Sequence, residues 1–103
     1  VAFADAGADC LYAPGASRKE DIAAMVKAVA PRPLNVLTLG PGHSVAELAD
    51  LGVRRISVGG SLARVAWKAM LDAAEQIKAG SFAGLAEAMP HRFLNQLFAG
   101  AAK

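Results

Sequence analysis

Short apolar runs alternate with segments of helical spacing through the first part of the chain. The runs cover residues 10–13, 34–39 and 53–58, and the first two are almost continuously apolar. Such runs are typical of strands that are covered on both faces, as in a parallel sheet. Strands that alternate with helices indicate βαβ units. The pattern therefore predicts an α/β fold with a parallel sheet.

The predicted helices carry apolar stripes of different widths. One stripe ends before Pro31, a second ends at Gly52, and the segment 61–78 is apolar around most of its circumference. A helix that is apolar on more than one face is expected to pack against more than one neighbour. Residues 1–9 are predicted to be the end of a helix, and short helices follow residue 80. The first two stripes are Ile22, Met25, Val26 and Val29, and Val45, Leu48 and Leu51.

A sequence motif occurs twice, 27 residues apart. Residues 14–20 and 41–47 both read Pro-Gly-x-Ser-x-x-Glu, and each copy follows an apolar run and precedes a helix. Ser-x-x-Glu predicts a capping box, in which the Ser hydroxyl and the Glu carboxylate each accept a backbone N–H. A third loop, Gly59-Gly60-Ser61, has Arg64 in place of the Glu, so that only a Ser cap is predicted there.

These three glycine loops are the main candidates for binding chemistry. In parallel α/β folds the loops after the strands carry the functional site. Each loop precedes a helix, whose free N–H groups and dipole favour an anion. The loops are therefore either a phosphate or carboxylate pocket or ordinary turns with N-caps. The chain pattern alone leaves both interpretations open.

Four polar or reactive residues require an interpretation. Asn35 lies in an apolar run, and it either bonds a substrate carboxylate or is satisfied inside the sheet. For Thr38 we favour the satisfied interior. His43 is expected to be a solvated loop residue rather than a general acid or base, because no Asp, Glu or Cys lies nearby to orient it. Cys10 is expected to be a small buried hydrophobe.

Composition excludes several classes of protein. The chain has 103 residues, is 54% hydrophobic and 19% charged, and carries a net charge of +2. Disorder is not expected at this hydrophobicity, and the small charge surplus does not indicate a nucleic-acid partner. A single cysteine excludes a disulfide framework within the chain. We expect no membrane span, no metal-ligand cluster and no dinucleotide fingerprint. The residues alone do not name a reaction.

The order of features resembles a known family. Residues 6–15, 33–36 and especially 47–59 are similar to the later part of the isocitrate lyase/phosphoenolpyruvate mutase superfamily. The resemblance implies an α/β fold that is the C-terminal part, strands six to eight, of a (β/α)8 TIM-type barrel plus C-terminal helices. It implies a partial barrel over residues 1–80 and a helical tail over 81–103 that serves oligomerisation. A complete barrel needs about 250 residues, so we expect the chain alone to be inactive.

The same resemblance implies a function. Members of the superfamily are cytoplasmic, Mg²⁺-dependent enzymes that make or break C–C or C–P bonds beside a 2-oxo acid, and they are usually tetramers that exchange a C-terminal helix. Their Mg²⁺ ligands and gating loop lie in earlier strands, upstream of this segment. Asn35 resembles the strand-seven Asn that faces the substrate carboxylate. We expect Asn35 and the N–H groups of Gly59, Gly60 and Ser61 to bind a small carboxylate or phosphonate.

Two departures from the family indicate the branch. The lyases carry a Glu at the end of strand six and another shortly after the strand-seven Asn, and neither residues 11–15 nor 37–39 contain one. The chain is therefore more similar to the mutase/decarboxylase-like branch, which includes carboxyvinyl-carboxyphosphonate phosphorylmutase-like and oxaloacetate decarboxylase-like enzymes. The alternative is a non-catalytic anion-binding or assembly module, in which the three glycine loops and an apolar tail serve ligand docking and oligomerisation. The large apolar residues of that tail are Phe93, Leu94, Leu97 and Phe98.

Overall fold

The computed structural model describes residues 1–100, in which three short parallel strands alternate with helices. The last three residues of the predicted tail, 101–103, lie outside the described residues. The strands are β1 (Leu11–Tyr12), β2 (Leu34–Leu37) and β3 (Arg55–Ser57), in the sheet order β1-β2-β3. The helices are α1 (Ala2–Asp5), α2 (Lys19–Val29), α3 (Val45–Asp50), α4 (Ser61–Lys78) and α5 (His91–Gly100), with a 3-10 turn at Ala83–Leu85. The predicted α/β fold with a parallel sheet is confirmed.

The chain divides into two compact units. The first is Val1–Leu62, which contains the sheet, and the second is Ala63–Lys103. This division does not test the predicted separation of a partial barrel (1–80) from a tail (81–103), which stays a prediction. Helix α4 has the bounds that its pattern predicts, and none of its residues is buried. Over the described residues, no helix is both long enough and apolar enough to cross a membrane.

The core of the first unit lies on one face of the sheet. Side chains alternate along a strand, so Leu34 and Val36 of β2 share this face. Ile22 from α2 and Leu48 from α3 are the most completely buried large side chains. Burial of each such side chain contributes about 1.5–3 kcal/mol. The cluster consists of Leu11, Ile22, Val29, Leu34, Val36, Leu48 and Val53.

The two stripes predicted on α2 and α3 are confirmed except at one position. Met25 and Val26 pack against the core cluster, as does Leu51 at the end of α3. Val45 is 72% exposed, so its predicted place in the α3 stripe is wrong. It is the first residue of a helix of only six residues, and a single turn of α3 contacts the core through Leu48.

Only one of the two predicted capping boxes forms. At α3, the Ser44 hydroxyl accepts the Glu47 N–H at 3.1 Å and a Glu47 carboxylate oxygen accepts the Ser44 N–H at 2.8 Å. At α2 the prediction is wrong, because the N-cap residue is Arg18 and it makes no capping bond through its side chain. Ser17 therefore lies one residue before the cap, where its hydroxyl cannot take the role that the motif assigns.

Ser61 also differs from its predicted cap role. It is the first residue of α4 rather than the residue before the helix. Its hydroxyl donates to the Leu39 carbonyl oxygen at 3.4 Å, which connects the start of α4 to the chain that follows β2. The third glycine loop is thus tied to the second by a side chain.

Gly52 ends α3 in the way that the sequence predicts. Its φ is +89°, and its N–H donates to the Ala49 carbonyl while the following Val53 N–H reaches Leu48. A Cβ atom at this position would lie 2.9 Å from Cγ1 of Val26. Both the left-handed backbone and the close approach of α2 therefore require glycine here.

Candidate functional site

Asn35 is the one buried polar residue of the described core. It lies in β2, is 2% exposed, and donates from Nδ2 to the Ser57 hydroxyl at 2.9 Å. Its Oδ1 atom is buried without a hydrogen-bond partner among the described residues. A buried polar group without a partner is unusual in a folded protein. The hydrogen-bonding groups of Asn35 are therefore not all satisfied inside the sheet, which was one of the two interpretations of this residue.

The face of the sheet that carries Asn35 has several polar side chains. Strand register pairs Asn35 with Tyr12 of β1 and with Arg55 of β3, and it pairs Leu37 with Ser57. Residues in register on neighbouring strands share a face. Tyr12 and Arg55 are exposed, and Ser57 is half-buried. A phenol, an amide, a guanidinium and a hydroxyl thus lie on the face opposite the apolar core.

The Gly59-Gly60-Ser61 turn begins two residues after Ser57. Gly59 has φ +53°, and a Cβ atom there would lie 3.4 Å from the Leu39 side chain. The N–H of Ser61 donates to the Val58 carbonyl at 3.1 Å, and the Ser61 hydroxyl bonds Leu39. Within residues 1–100, the N–H groups of Gly59 and Gly60 have no such backbone bond. The N–H groups of Gly59 and Gly60 are therefore available to an anion. The N–H and the hydroxyl of Ser61 instead stabilise the turn.

Two contacts connect the segment between β1 and α2 with the segment between β2 and α3, including the first turns of the two helices. The Nε2 atom of His43 lies 2.7 Å from the Ser17 carbonyl oxygen, and Lys19 Nζ lies 2.7 Å from Glu47 Oε1. His43 is half-buried in a loop and its contact with Ser17 is exposed, so the expectation of a solvated loop histidine is not contradicted. The sequence lacked any nearby acidic partner for His43, whereas its partner is a backbone carbonyl 26 residues earlier.

A cleft of about 240 Å³ lies between these loops. Ala16 and Ser17 contribute from the first loop, and residues 36–43 contribute from β2 and the second loop. Ser17, Thr38 and His43 are the residues with polar side chains in its lining. Neither Asn35 nor the Gly59-Gly60-Ser61 turn lines it, so the cleft and the Asn35 face are separate features of the first unit.

Glu47 has a strongly perturbed acidity. Its pKa is lowered from 4.5 to about 2, first by the hydrogen bond from Lys19 and then by the bonds from Ser44. The same pair raises the pKa of Lys19. Glu47 is therefore a fixed anion that holds α2 to α3, and it is not a proton carrier near neutral pH.

The described residues do not form a metal site. Among residues 1–100, no three His, Cys, Asp or Glu side chains come together to hold an ion. Cys10 is half-buried and its thiol contacts the Leu11 carbonyl at 3.8 Å. The Mg²⁺ that the resemblance implies would need ligands outside this segment.

Ser57 was not among the predicted site residues. It belongs to the apolar run 53–58, and nothing in that run singled it out. Its position could have indicated it, because Ser57 and Asn35 are polar residues in adjacent predicted strands. Their contact depends on the register, which puts Asn35 opposite Arg55. Ser57 lies two residues further along β3 and therefore on the same face of the sheet.

Comparison with known proteins identifies relatives of this arrangement. A family model described as phosphoenolpyruvate phosphomutase matches residues 1–78. The chain is similar to a solved structure from Burkholderia cenocepacia J2315 described as a lyase/mutase, with 48% identity, a TM-score of 0.87, and coverage of 96% of this chain and 36% of that one.

Two further solved structures are similar at lower identity. One is 2,3-dimethylmalate lyase, a member of the PEP mutase/isocitrate lyase superfamily, with 27% identity, a TM-score of 0.76, and coverage of 94% of this chain and 35% of that one. The other is oxaloacetate acetylhydrolase in complex with its product oxalate, with 26% identity, a TM-score of 0.74, and coverage of 99% and 40%. The chain therefore spans little more than a third of the length of these proteins.

Proposed function

Because the chain belongs to the phosphoenolpyruvate phosphomutase family, we propose that it acts as the C-terminal part of a lyase or mutase barrel, with its three strands as strands six to eight. The substrate class is a small 2-oxo carboxylate or phosphonate whose C–C or C–P bond is broken or moved. The proposal includes a cytoplasmic location, a homo-oligomer such as a tetramer, and Mg²⁺ bound by residues outside this segment.

The observation that carries the proposal is the buried, incompletely bonded amide of Asn35. A buried amide bonds an anion more strongly than an exposed one, because water does not compete. Asn35 faces the polar side of the sheet, which would be the interior of a closed barrel. An anion held there would also approach the N–H groups of Gly59 and Gly60 at the end of β3. Asn35, Gly59 and Gly60 are thus the proposed ligand contacts, with Ser61 as the residue that fixes the turn.

The absence of two acidic residues favours the mutase/decarboxylase branch. Residues 11–15 and 37–39 contain no Glu, in contrast to the motifs that mark the lyases of the family. For oxaloacetate, decarboxylation breaks the C3–C4 bond, releases CO₂ and leaves the electron pair in an enolate, which takes up a proton to give pyruvate. Asn35 would hold the carboxylate that remains and orient the bond that breaks.

The test requires the complete barrel, by which we mean a polypeptide that carries this segment together with the remaining strands found in its relatives. It is assayed with Mg²⁺ against oxaloacetate, phosphonopyruvate and 2-methylisocitrate. We expect turnover of oxaloacetate or phosphonopyruvate and none of 2-methylisocitrate. Asn35→Ala should lower kcat/KM about ten- to hundred-fold, since it removes a hydrogen bond to a charged group.

Two results would contradict the proposal. If Asn35→Ala keeps the parent kcat/KM, the amide does not contact the substrate. If the complete barrel turns over none of these substrates, the alternative of a non-catalytic anion-binding or assembly module gains support instead. Thr38→Val is a matched control, because Thr38 lies on β2's continuation but outside the proposed contacts, and we expect it to stay within about two-fold.

A further inference from the structure

The Asn35 amide has two chemically different ends, and only one of them suits an anionic ligand. The amide nitrogen carries two N–H donors, whereas Oδ1 is an acceptor only. In the structure Nδ2 donates to Ser57 at 2.9 Å, and Oδ1 is buried without a partner. A carboxylate or phosphonate also only accepts, so it cannot bond an amide that presents its oxygen.

Ser57 can accommodate either orientation of the amide. Its hydroxyl accepts when the amide nitrogen faces it, and donates when a half-turn of the amide brings Oδ1 towards it. In the second orientation the acceptor is satisfied by Ser57 and both N–H groups face away from it. That arrangement leaves no unpartnered acceptor and presents two donors to an anion.

We propose that Ser57 is a positioning residue whose hydroxyl donates to Oδ1 of Asn35 and turns the amide nitrogen towards a ligand carboxylate. This inference rests on the proposed function, because it needs an anion at Asn35. Ser57 itself does not contact the ligand in this arrangement. It acts through Asn35, and it selects ligands that accept hydrogen bonds over ligands that donate them.

Three observations support the assignment. Ser57 is the partner of the only side-chain hydrogen bond described for Asn35 within residues 1–100. It lies on β3, on the same sheet face as Asn35, so the contact joins two strands held in fixed register. Ser57 is half-buried and Asn35 is 2% exposed, so little water competes for the hydrogen bond between them.

The experiment is a double-mutant cycle in the complete barrel with Mg²⁺. We measure KM and kcat for oxaloacetate and the Kd of oxalate in the parent, Ser57→Ala, Asn35→Ala and the double variant. Ser57→Ala should raise KM and the oxalate Kd about three- to ten-fold, the effect of one neutral hydrogen bond, with kcat within about two-fold. In the Asn35→Ala background the same substitution should change either constant less than about two-fold, because its target is gone.

Conservative variants separate positioning from folding. Ser57→Thr keeps the hydroxyl and should restore KM to within about three-fold of the parent. Asn35→Asp offers only acceptor atoms, so it should bind oxalate no better than Asn35→Ala. Ser81→Ala, the same substitution in the second unit, is the control and should leave KM unchanged. Thermal unfolding of each variant identifies any loss that comes from misfolding.

The outcomes distinguish this inference from the proposed function. If Asn35→Ala raises the oxalate Kd and Ser57→Ala raises it equally in both backgrounds, the two residues act independently and only the positioning role fails. If Ser57→Ala has no effect while Asn35→Ala does, the positioning role fails as well. If Asn35→Ala leaves both constants unchanged, the proposed ligand site fails, and the positioning role fails with it.

Discussion

Lys19 at the start of α2 and Glu47 in the first turn of α3 form an ion pair, with 2.7 Å between Nζ and Oε1. Glu47 is also the acidic member of the capping box, in which its other oxygen accepts the Ser44 N–H at 2.8 Å. One carboxylate thus caps its own helix and holds the neighbouring helix. Both helices follow strands of the sheet, so the pair fixes the two loops that line the cleft.

The Glu47 contacts predict how stability depends on pH. The pKa of Glu47 falls from 4.5 to about 2 on folding. Because the folded pKa is depressed, its contribution is fully present above about pH 4.5 and is lost as the pH falls towards 2. We expect the difference in Tm between the parent and Glu47→Gln to be constant above pH 5 and to shrink below it. Glu20→Gln is the control, and a pH-independent difference for Glu47→Gln would contradict the assignment.

Gly52 is expected to be intolerant of any side chain. Gly52→Ala must place a Cβ 2.9 Å from Val26 and hold a non-glycine residue at φ +89°. We expect the free energy of unfolding of the complete barrel, measured by urea titration, to fall by about 1–3 kcal/mol. Gly40→Ala is the matched control, since its Cβ would meet nothing within 4 Å and its φ is not positive. Equal effects of the two substitutions would show that the close approach of α2 does not matter.

A substitution of Asn35 should affect ligand binding without lowering the stability of the fold. Asn35→Leu removes a buried oxygen without a partner and replaces it with an apolar group of similar size. We expect the free energy of unfolding to stay within about 1 kcal/mol of the parent or to rise, because the desolvated amide is lost. Oxalate binding by the complete barrel should be abolished. A large destabilisation by Asn35→Leu, comparable to Gly52→Ala, would indicate a purely structural amide.

The apolar face of α5 predicts an association surface. Phe93 and Leu97 are four residues apart on one face and are 49% and 56% exposed. Such residues cover a patch that a monomer rarely leaves to solvent. We expect the deletion of residues 90–103 from the complete barrel to lower its oligomeric state in light scattering at micromolar concentration.

A substitution test keeps the length of the tail. The double variant Phe93→Ser/Leu97→Ser should lower the oligomeric state as the deletion does, whereas Arg92→Ser/Gln96→Ser on the same helix should not. If the deletion variant keeps the parent's number of subunits per particle, the tail covers its own barrel and the association surface lies elsewhere.

The local elements of this protein were determined by its sequence. The bounds of α4, Ser61–Lys78, coincide with the predicted segment, and Ser44 and Glu47 form the predicted capping box. Gly52 ends α3 where the apolar stripe ends. These features depend on interactions over a few residues, and such interactions can be derived from spacing and side-chain chemistry alone. The apolar runs and their alternation with helices also predicted the parallel sheet, and the match to residues 1–78 confirms the family resemblance.

The partners of the site residues were decided only by the tertiary structure. Asn35 meets Ser57 because β2 and β3 pair in one register, and a shift of one residue would have turned Ser57 to the apolar face. The second capping box fails because α2 begins one residue later than its motif predicts, with Arg18 as its cap. His43 bonds a carbonyl from a loop 26 residues away. The contacts of Asn35 and His43 join segments that are distant along the chain. They follow from strand pairing and from the packing of helices on the sheet, which no local pattern encodes.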